Sequence, residues 1–220
     1  MSEATPLVLY GFWRSTATWR VRIALAHKGI AYDYRPIHLM RDGGEQHKDE
    51  YRSKNPLSQV PLIELEDQGR AVRITQSVAI IEYLEERWPE PALLPADRFL
   101  RARARQIAEM INSGIQPLQN TSVQRWVKDE LHADEKAWTR YWVSRGLGAL
   151  EAIVAESAGR FAVGDAVSVA DLFLAPQLAF ARRFSIPLDA YPTLVRIDAT
   201  CAELPAFQRA HAKEQPDAEG

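Results

Sequence analysis

Residues 89–97, "PEPALLPAD", carry three prolines and no apolar periodicity, and they separate two stretches of unlike pattern. Each proline removes a backbone donor and fixes φ near −65°, so neither a helix nor a strand ladder runs through such a segment. It predicts a stiff linker between two bodies, residues 1–88 and 98–220.

Before the linker, strand and helix signals alternate. "LVLYGF" (7–12) reads as a short buried strand, and from Trp19 to Lys28 the residues Val21, Ala24 and Leu25 fall on one helical stripe that stops at Gly29. "AYDYRPIHL" (31–39) is strand-like, with Pro36 pointing to a sheet edge. In "VPLIELEDQGRAVRI" (60–74) two apolar runs flank "EDQGR", whose Gly69 can take the positive φ of a tight hairpin turn. From Gln76 the apolar Ile80, Ile81, Leu84 and Trp88 recur at helical spacing until Pro89. The predicted order is β-α-β-(α)-β-β-α.

Beyond the linker no stretch reads as a strand. Leu100, Ala104, Ile107, Ala108 and Ile111 form one helical stripe, and Pro117 interrupts the helix that would contain it. Trp138, Trp142, Ala149 and Ile153 mark another helix ending near Gly159. "SVAD" (168–171) is a capping-box-like start, and Tyr191-Pro192 opens a last helix with proline in its first position. The expected fold class is an α/β half followed by an all-helical half.

Charge and composition remove several functions. With 27 Lys and Arg against 29 Asp and Glu, the formal charge of −2 gives no global field for nucleic acid or an anionic membrane. No run approaches the 18 or so apolar residues of a membrane span, and "MSEATPLVLYGF" lacks the basic and apolar regions of a secretory signal. A single cysteine, Cys201, allows no internal disulfide and suits a reducing cytoplasm. His27, His38, His47, His132 and His211 are scattered, so no metal site is expected.

"GFWRSTATWRVRIAL" (11–25) gathers Arg14, Ser15 and Thr16 where a strand becomes a helix. Ser15 reads as a helix cap or as a hydrogen-bond donor to an anion held by the helix start. Nothing in the sequence supplies a base that would make it a nucleophile. In "NPLSQVPLI" (55–63) the Val60-Pro61 bond is either an edge-strand trans proline or a cis bond that turns the Val60 N–H and C=O toward an extended ligand. In "TQSVAIIEYL" (75–84) Gln76 and Ser77 either cap a helix or hold a carboxylate. "DGGEQ" (42–46) lacks phosphate-loop spacing and reads as a turn.

Taken together with "RSTATWRVRIALAHKGI", "NPLSQVP", "TQSVAIIEYLEE", "GIQPLQNTS", "VGDAVSVADL", "PQLAFARRF" and "QPDA", these segments resemble the zeta class of the glutathione transferase superfamily. That class includes maleylacetoacetate and maleylpyruvate isomerases. The resemblance implies a thioredoxin-like N-terminal domain, an all-α C-terminal domain, glutathione as cofactor, a small carboxylate substrate and a homodimer. It further implies that Ser15, with Thr16 beside it, donates to the glutathione sulfur. Gln46 and Val60 would hold the cysteinyl and glycyl part, and Gln76 and Ser77 the γ-glutamyl end. Gln116, Asn120, Thr121 and Ser122 would complete the cleft, reaching across the dimer. Arg14 and Arg183 are the candidates for binding the substrate carboxylates.

The class reads Ser-Ser-Cys-Ser before Trp-Arg-Val-Arg, whereas this chain has Ser15, Thr16, Ala17 and Thr18. A protein thiol at position 17 therefore takes no part. The expected reaction is cis–trans isomerisation of a maleyl-type acid, maleylacetoacetate ahead of maleylpyruvate. The alternative is glutathione conjugation or dehalogenation of small α-halo acids.

Overall fold

The computed structural model describes residues 7–219; residues 1–6, where the reading for a secretory signal begins, lie outside the described residues. Leu7–Gly11 forms β1, with Leu7, Leu9 and Gly11 buried and the alternate residues half-buried, as a strand covered unequally on its two faces requires. Tyr32–Pro36 (β2) pairs with it in parallel, and Leu62–Asp67 (β3) pairs with its other side antiparallel. Arg70–Thr75 (β4) closes a hairpin on β3. The order β2-β1-β3-β4 puts Pro36 on an edge strand, where its missing N–H breaks no ladder. Gln68 and Gly69 have φ of 51° and 73°, the two positive values of a type I′ hairpin turn.

Thr16–His27 (α1) and Ser77–Arg87 (α3) pack against each other, and the single turn Asp49–Arg52 (α2) lies between β2 and β3 in the chain. Gly29, at φ 67°, ends α1 as expected, with the Ile30 N–H returning to the Leu25 carbonyl at 2.9 Å.

After β4 the described residues contain helices and one isolated bridge, Ala158 to Gly164, but no strand. Arg98–Glu109 (α4) buries Ala104, Ile107 and Ala108. It then loosens into a π-helical turn, Met110–Ile115, which ends just before Pro117 with the Gln116 N–H on the Ile111 carbonyl at 2.8 Å. Thr121–Asp129 (α5) and Glu135–Ala155 (α6) follow.

The stripe expected along α6 is displaced by one residue. Thr139, Val143, Leu147, Leu150 and Val154 are buried, while Ala149 is exposed and Trp138 and Trp142 are half-buried. An indole with an apolar body and a polar tip suits the margin of a core: Trp138 Nε1 donates to the Leu118 carbonyl at 2.9 Å.

Val169–Arg183 (α7) begins with the expected capping box, in which Asp171 accepts from the Ser168 N–H at 2.8 Å. Asp171 also takes the Ala162 N–H, at 2.8 Å, and burial pushes its carboxyl up to about 6 against these bonds. Pro192–Ala202 (α8) opens with its proline in the first turn, but a further helix, Pro205–Ala210 (α9), follows it. Cys201 is buried, and burial raises its thiol pKa.

The structure falls into two compact units that differ from the division made at residues 89–97. One joins the residues up to Pro91 with those from Pro205 onward; the other is Ala92–Leu204. The proline-rich segment is not a free linker. Lys28 Nζ holds its first part through the Trp88 and Pro91 carbonyls, at 2.6 and 3.0 Å. In the second unit Leu93 is fully buried and accepts from the Val169 N–H at 2.8 Å. The C-terminal residues return because α1 presents buried donors to them: Arg22 Nε reaches the Ala210 carbonyl at 3.0 Å, and Trp19 meets His211 edge-to-face at 4.8 Å. No helix of the described residues is long and apolar enough to cross a membrane.

Candidate active site

Ser15 is the N-cap of α1, its Oγ accepting from the Thr18 N–H at 3.2 Å. A hydroxyl has one proton to donate besides its lone pairs, so capping leaves that proton available. Both readings of Ser15 are thus compatible in one side chain. Its own N–H closes a turn onto the Phe12 carbonyl at 3.0 Å, and Thr16 opens the helix proper. Gly11 must be glycine here, because a Cβ would collide with Thr18.

Arg14 lies over the rings of Phe12 and Trp13, 5.7 and 5.1 Å from their centroids, and forms no ion pair among the described residues. Arg20 and Arg22 are different. Both are fully buried, so neither is a cleft residue facing solvent: Arg20 donates to Ser77 Oγ at 3.3 Å, and Arg22 to the Trp13 carbonyl at 2.8 Å.

Strand register brings the first unit's candidates together. Tyr10 pairs with Leu62 and Leu62 with Thr75. The chain leaving β1 toward Ser15, the chain entering β3 from Val60 and the chain leaving β4 at Gln76 therefore meet at one end of the sheet. The Val60-Pro61 peptide is cis, and none of the described hydrogen bonds uses the Val60 N–H or C=O. Gln76, a non-glycine residue at φ 72°, precedes α3, whose first residue, Ser77, is buried. Such a backbone costs about 1–3 kcal/mol and persists only where the surrounding structure fixes it.

Gln46 is buried beside this end of the sheet's β1–β2 side, after a loop that starts at Ile37, whose N–H bonds the Gly11 carbonyl at 2.7 Å. Its Nε2 donates to the Leu39 carbonyl at 3.4 Å, while its Oε1 has no partner among the described residues. A buried acceptor left unpaired costs about 1–3 kcal/mol, which a ligand donor can recover.

In the second unit, Gln116 follows the π-helical turn and is half-buried. Asn120 caps α5, its Oδ1 accepting from the Ser122 N–H at 3.0 Å and the Ser122 hydroxyl at 2.9 Å. Thr121 and Ser122 are exposed. Arg183 is exposed at the end of α7, its guanidinium 5.2 Å from the Phe184 ring centroid.

Several supporting residues were not among the candidates read from the sequence. The Gln59 carbonyl, next to Val60, takes hydrogen bonds from both Tyr51 Oη (2.6 Å) and Asn55 Nδ2 (2.7 Å). Gly44, at φ 104°, leaves room for Gln46, whose amide a Cβ at that position would strike. Gln119 holds the 116–122 segment through a buried reciprocal amide pair with Gln177, at 3.0 and 2.9 Å. Among the described residues no group of three or more His, Cys, Asp or Glu is placed to hold a metal ion.

Comparison with known proteins places the chain in one family. Residues 9–92 match the model of the glutathione S-transferase N-terminal domain, and 120–213 that of the C-terminal domain. Maleylacetoacetate isomerase of Rattus norvegicus is 47% identical over 98% of this chain and 96% of the rat protein. The crystal structure of maleylacetoacetate isomerase from Anaeromyxobacter dehalogenans, with glutathione in its active site, is 49% identical with a TM-score of 0.91, covering 99% of this chain and all 100% of that one. Another structure of that protein, at 47% identity, TM-score 0.90 and 99% and 100% coverage, has dicarboxyethyl glutathione and citrate bound. A maleyl pyruvate isomerase, described as a bacterial zeta-class glutathione S-transferase, is 41% identical with a TM-score of 0.90 over 96% of this chain and 100% of its own. Matched in both domains and similar to these proteins over nearly its whole length, the chain belongs to the glutathione transferase family, in its zeta class with the maleylacetoacetate isomerases.

Proposed function

We propose that this chain is a glutathione-dependent cis–trans isomerase that converts maleylacetoacetate to fumarylacetoacetate. The observation that carries this is the Ser15 hydroxyl, which caps α1 with its oxygen and keeps its proton to donate, at the sheet end where Val60 and Gln76 also lie. Polar groups there fit a short peptide: the buried Gln46 Oε1 needs a donor, and the Val60 N–H and C=O match an extended backbone. Gln76 and Ser77, at the start of α3, suit the γ-glutamyl carboxylate.

Bound glutathione supplies a nucleophilic sulfur that adds to the alkene and leaves again, so that the carbon chain turns about a single bond. The chain's task is to keep that sulfur ionised and the acid in place. A thiol of pKa about 8.5 must be lowered by about two units, or roughly 2.7 kcal/mol, to be mainly thiolate at neutral pH. A hydrogen bond from Ser15 Oγ to the charged sulfur gives about 1.5–3 kcal/mol, and the helix start adds about 0.3–1. Ala17 then needs no thiol. Arg14, stacked on Phe12 and Trp13 and without an ion pair among the described residues, offers its fork to a substrate carboxylate. Arg183 is the second candidate for that role, and Gln116, Asn120, Thr121 and Ser122 are the second unit's candidates for holding glutathione. The working form is a homodimer in the cytoplasm.

The experiment is an assay of maleylacetoacetate and maleylpyruvate side by side with catalytic glutathione. Faster turnover of maleylacetoacetate without net loss of glutathione is expected. Preference for maleylpyruvate would transfer the assignment to that acid. Stoichiometric consumption of glutathione with an α-halo acid, beside negligible isomerisation, would replace it with conjugation.

A further inference from the structure

The sequence segment "QPDA" near the C-terminus has no part in the chemistry above, yet its aspartate is built into the first unit. Asp217 Oδ2 accepts from the Trp13 N–H at 3.1 Å and from Tyr34 Oη at 3.2 Å. The other backbone group of Trp13 is also held: its carbonyl accepts from Nη2 of the fully buried Arg22 at 2.8 Å. Trp13 is the second residue of the turn that the Ser15 N–H closes onto the Phe12 carbonyl. Both backbone groups of Trp13 are therefore gripped, one by α1 and one by a residue 204 positions away in sequence.

We infer that Asp217 is a positioning residue for Ser15, clamping the Trp13 peptide against Arg22 so that the Ser15 hydroxyl is presented at a fixed place and direction. A hydrogen bond that lowers a thiol's pKa depends steeply on distance and angle, so a turn free to rock would lose part of the effect with Ser15 intact. The tail is itself held. Gln215, buried, donates to the Arg209 and His211 carbonyls at 3.1 and 2.9 Å, and Glu219 reaches His38 and Arg41 at 3.1 and 3.4 Å. Those last contacts fall on the loop that carries Gln46. Arg22 supports the clamp from a costly position: burial lowers its pKa, and nearby Tyr34, Tyr32 and Asp217 act in the opposite direction.

This rests on the assignment of Ser15 as donor to the glutathione sulfur, and the test separates the two. Asp217→Ala, Asp217→Asn and Ser15→Gly are compared by amide hydrogen exchange at Trp13 without ligand, by ultraviolet titration of the bound glutathione thiol, and by thermal melting. Asp217→Ala should speed Trp13 exchange by about tenfold or more and raise the bound-thiol pKa by about 0.5 to 1. Asp217→Asn, which keeps an acceptor oxygen, should restore most of both. If Asp217→Ala does not fold, Tyr34→Phe, which removes the hydroxyl that also anchors Asp217, should show the same changes to a smaller extent. A lower melting temperature in Asp217→Ala with Trp13 exchange and thiol titration unmoved would overturn the inference, leaving a structural tail. If the titration moves in Ser15→Gly but not in Asp217→Ala, the clamp alone fails. If it moves in neither, the donor role of Ser15 fails and the clamp's purpose with it.

Discussion

The polar residues of the two units are used in opposite ways. In the second unit the amides of Gln119 and Gln177 satisfy each other, and Asn120 and Ser122 are joined in one helix cap. In the first, a buried acceptor on Gln46 and both peptide groups of Val60 are left over. The buried Gln46 acceptor costs free energy that a ligand donor can return, and the half-buried Val60 groups suit an extended backbone. These first-unit groups suit a ligand that brings its own donors and acceptors. Of the second unit's candidates, Asn120 and Ser122 are explained by the helix cap they share.

Substitutions can break that contrast. The largest effect is expected at Ser15. Ser15→Gly keeps the helix start within a few tenths of a kcal/mol and removes the hydroxyl, so kcat/KM should fall by about 10²–10³ with the melting temperature nearly unchanged. Ser15→Ala should lose the same activity and in addition about 1 kcal/mol of stability, because the side chain is also the α1 cap. Chemical denaturation beside steady-state kinetics separates the two losses.

Gly44→Ala and Gly43→Ala form the next pair. Both glycines have positive φ, so each substitution should cost about 1 kcal/mol or more. Only at Gly44 does the added Cβ strike Gln46. Calorimetry should show glutathione binding weakened by about tenfold in Gly44→Ala and little changed in Gly43→Ala, equivalent to about 1.4 kcal/mol.

For the second unit the expectation is reversed. Gln177→Leu leaves the buried Gln119 amide unpaired and should cost about 1–3 kcal/mol of stability, while the bound-thiol titration stays in place. A displaced titration would mean that the two units are less separate in function than their hydrogen bonds suggest. Asn120→Ala should cost about 1 kcal/mol through the lost cap, and Ser122→Ala, at an exposed position, less than about 0.5 kcal/mol.

Periodicity made most of the fold legible. The order of strands and helices up to Arg87, the hairpin at Gly69, the edge position of Pro36 and the interruption of a helix near Pro117 follow from spacing and backbone chemistry. What stayed hidden depends on contacts between distant residues. The return of the C-terminal residues to the first unit rests on Arg22, a charged side chain that hydropathy assigns to the surface but whose donors meet backbone carbonyls inside. The α6 stripe was displaced because tryptophans dominate an apolar count although their rings sit at the core's edge.

The candidate site is legible in the same uneven way. Ser15, Val60 and Gln76 lie at element boundaries, where sequence punctuation is strongest. Gly44 looks like any turn glycine, and Tyr51 and Asn55 act only through the Gln59 carbonyl. No local pattern distinguishes such residues from structural ones.

The central claim is that the hydroxyl of Ser15 keeps the glutathione sulfur ionised. Ultraviolet titration of the bound thiol in the wild-type chain and in Ser15→Gly tests it most directly. A pKa about two below that of the free thiol, rising by at least about one in the variant, is the predicted result. A bound thiol that titrates like the free one, or a lowered pKa that survives the loss of the hydroxyl, would contradict it.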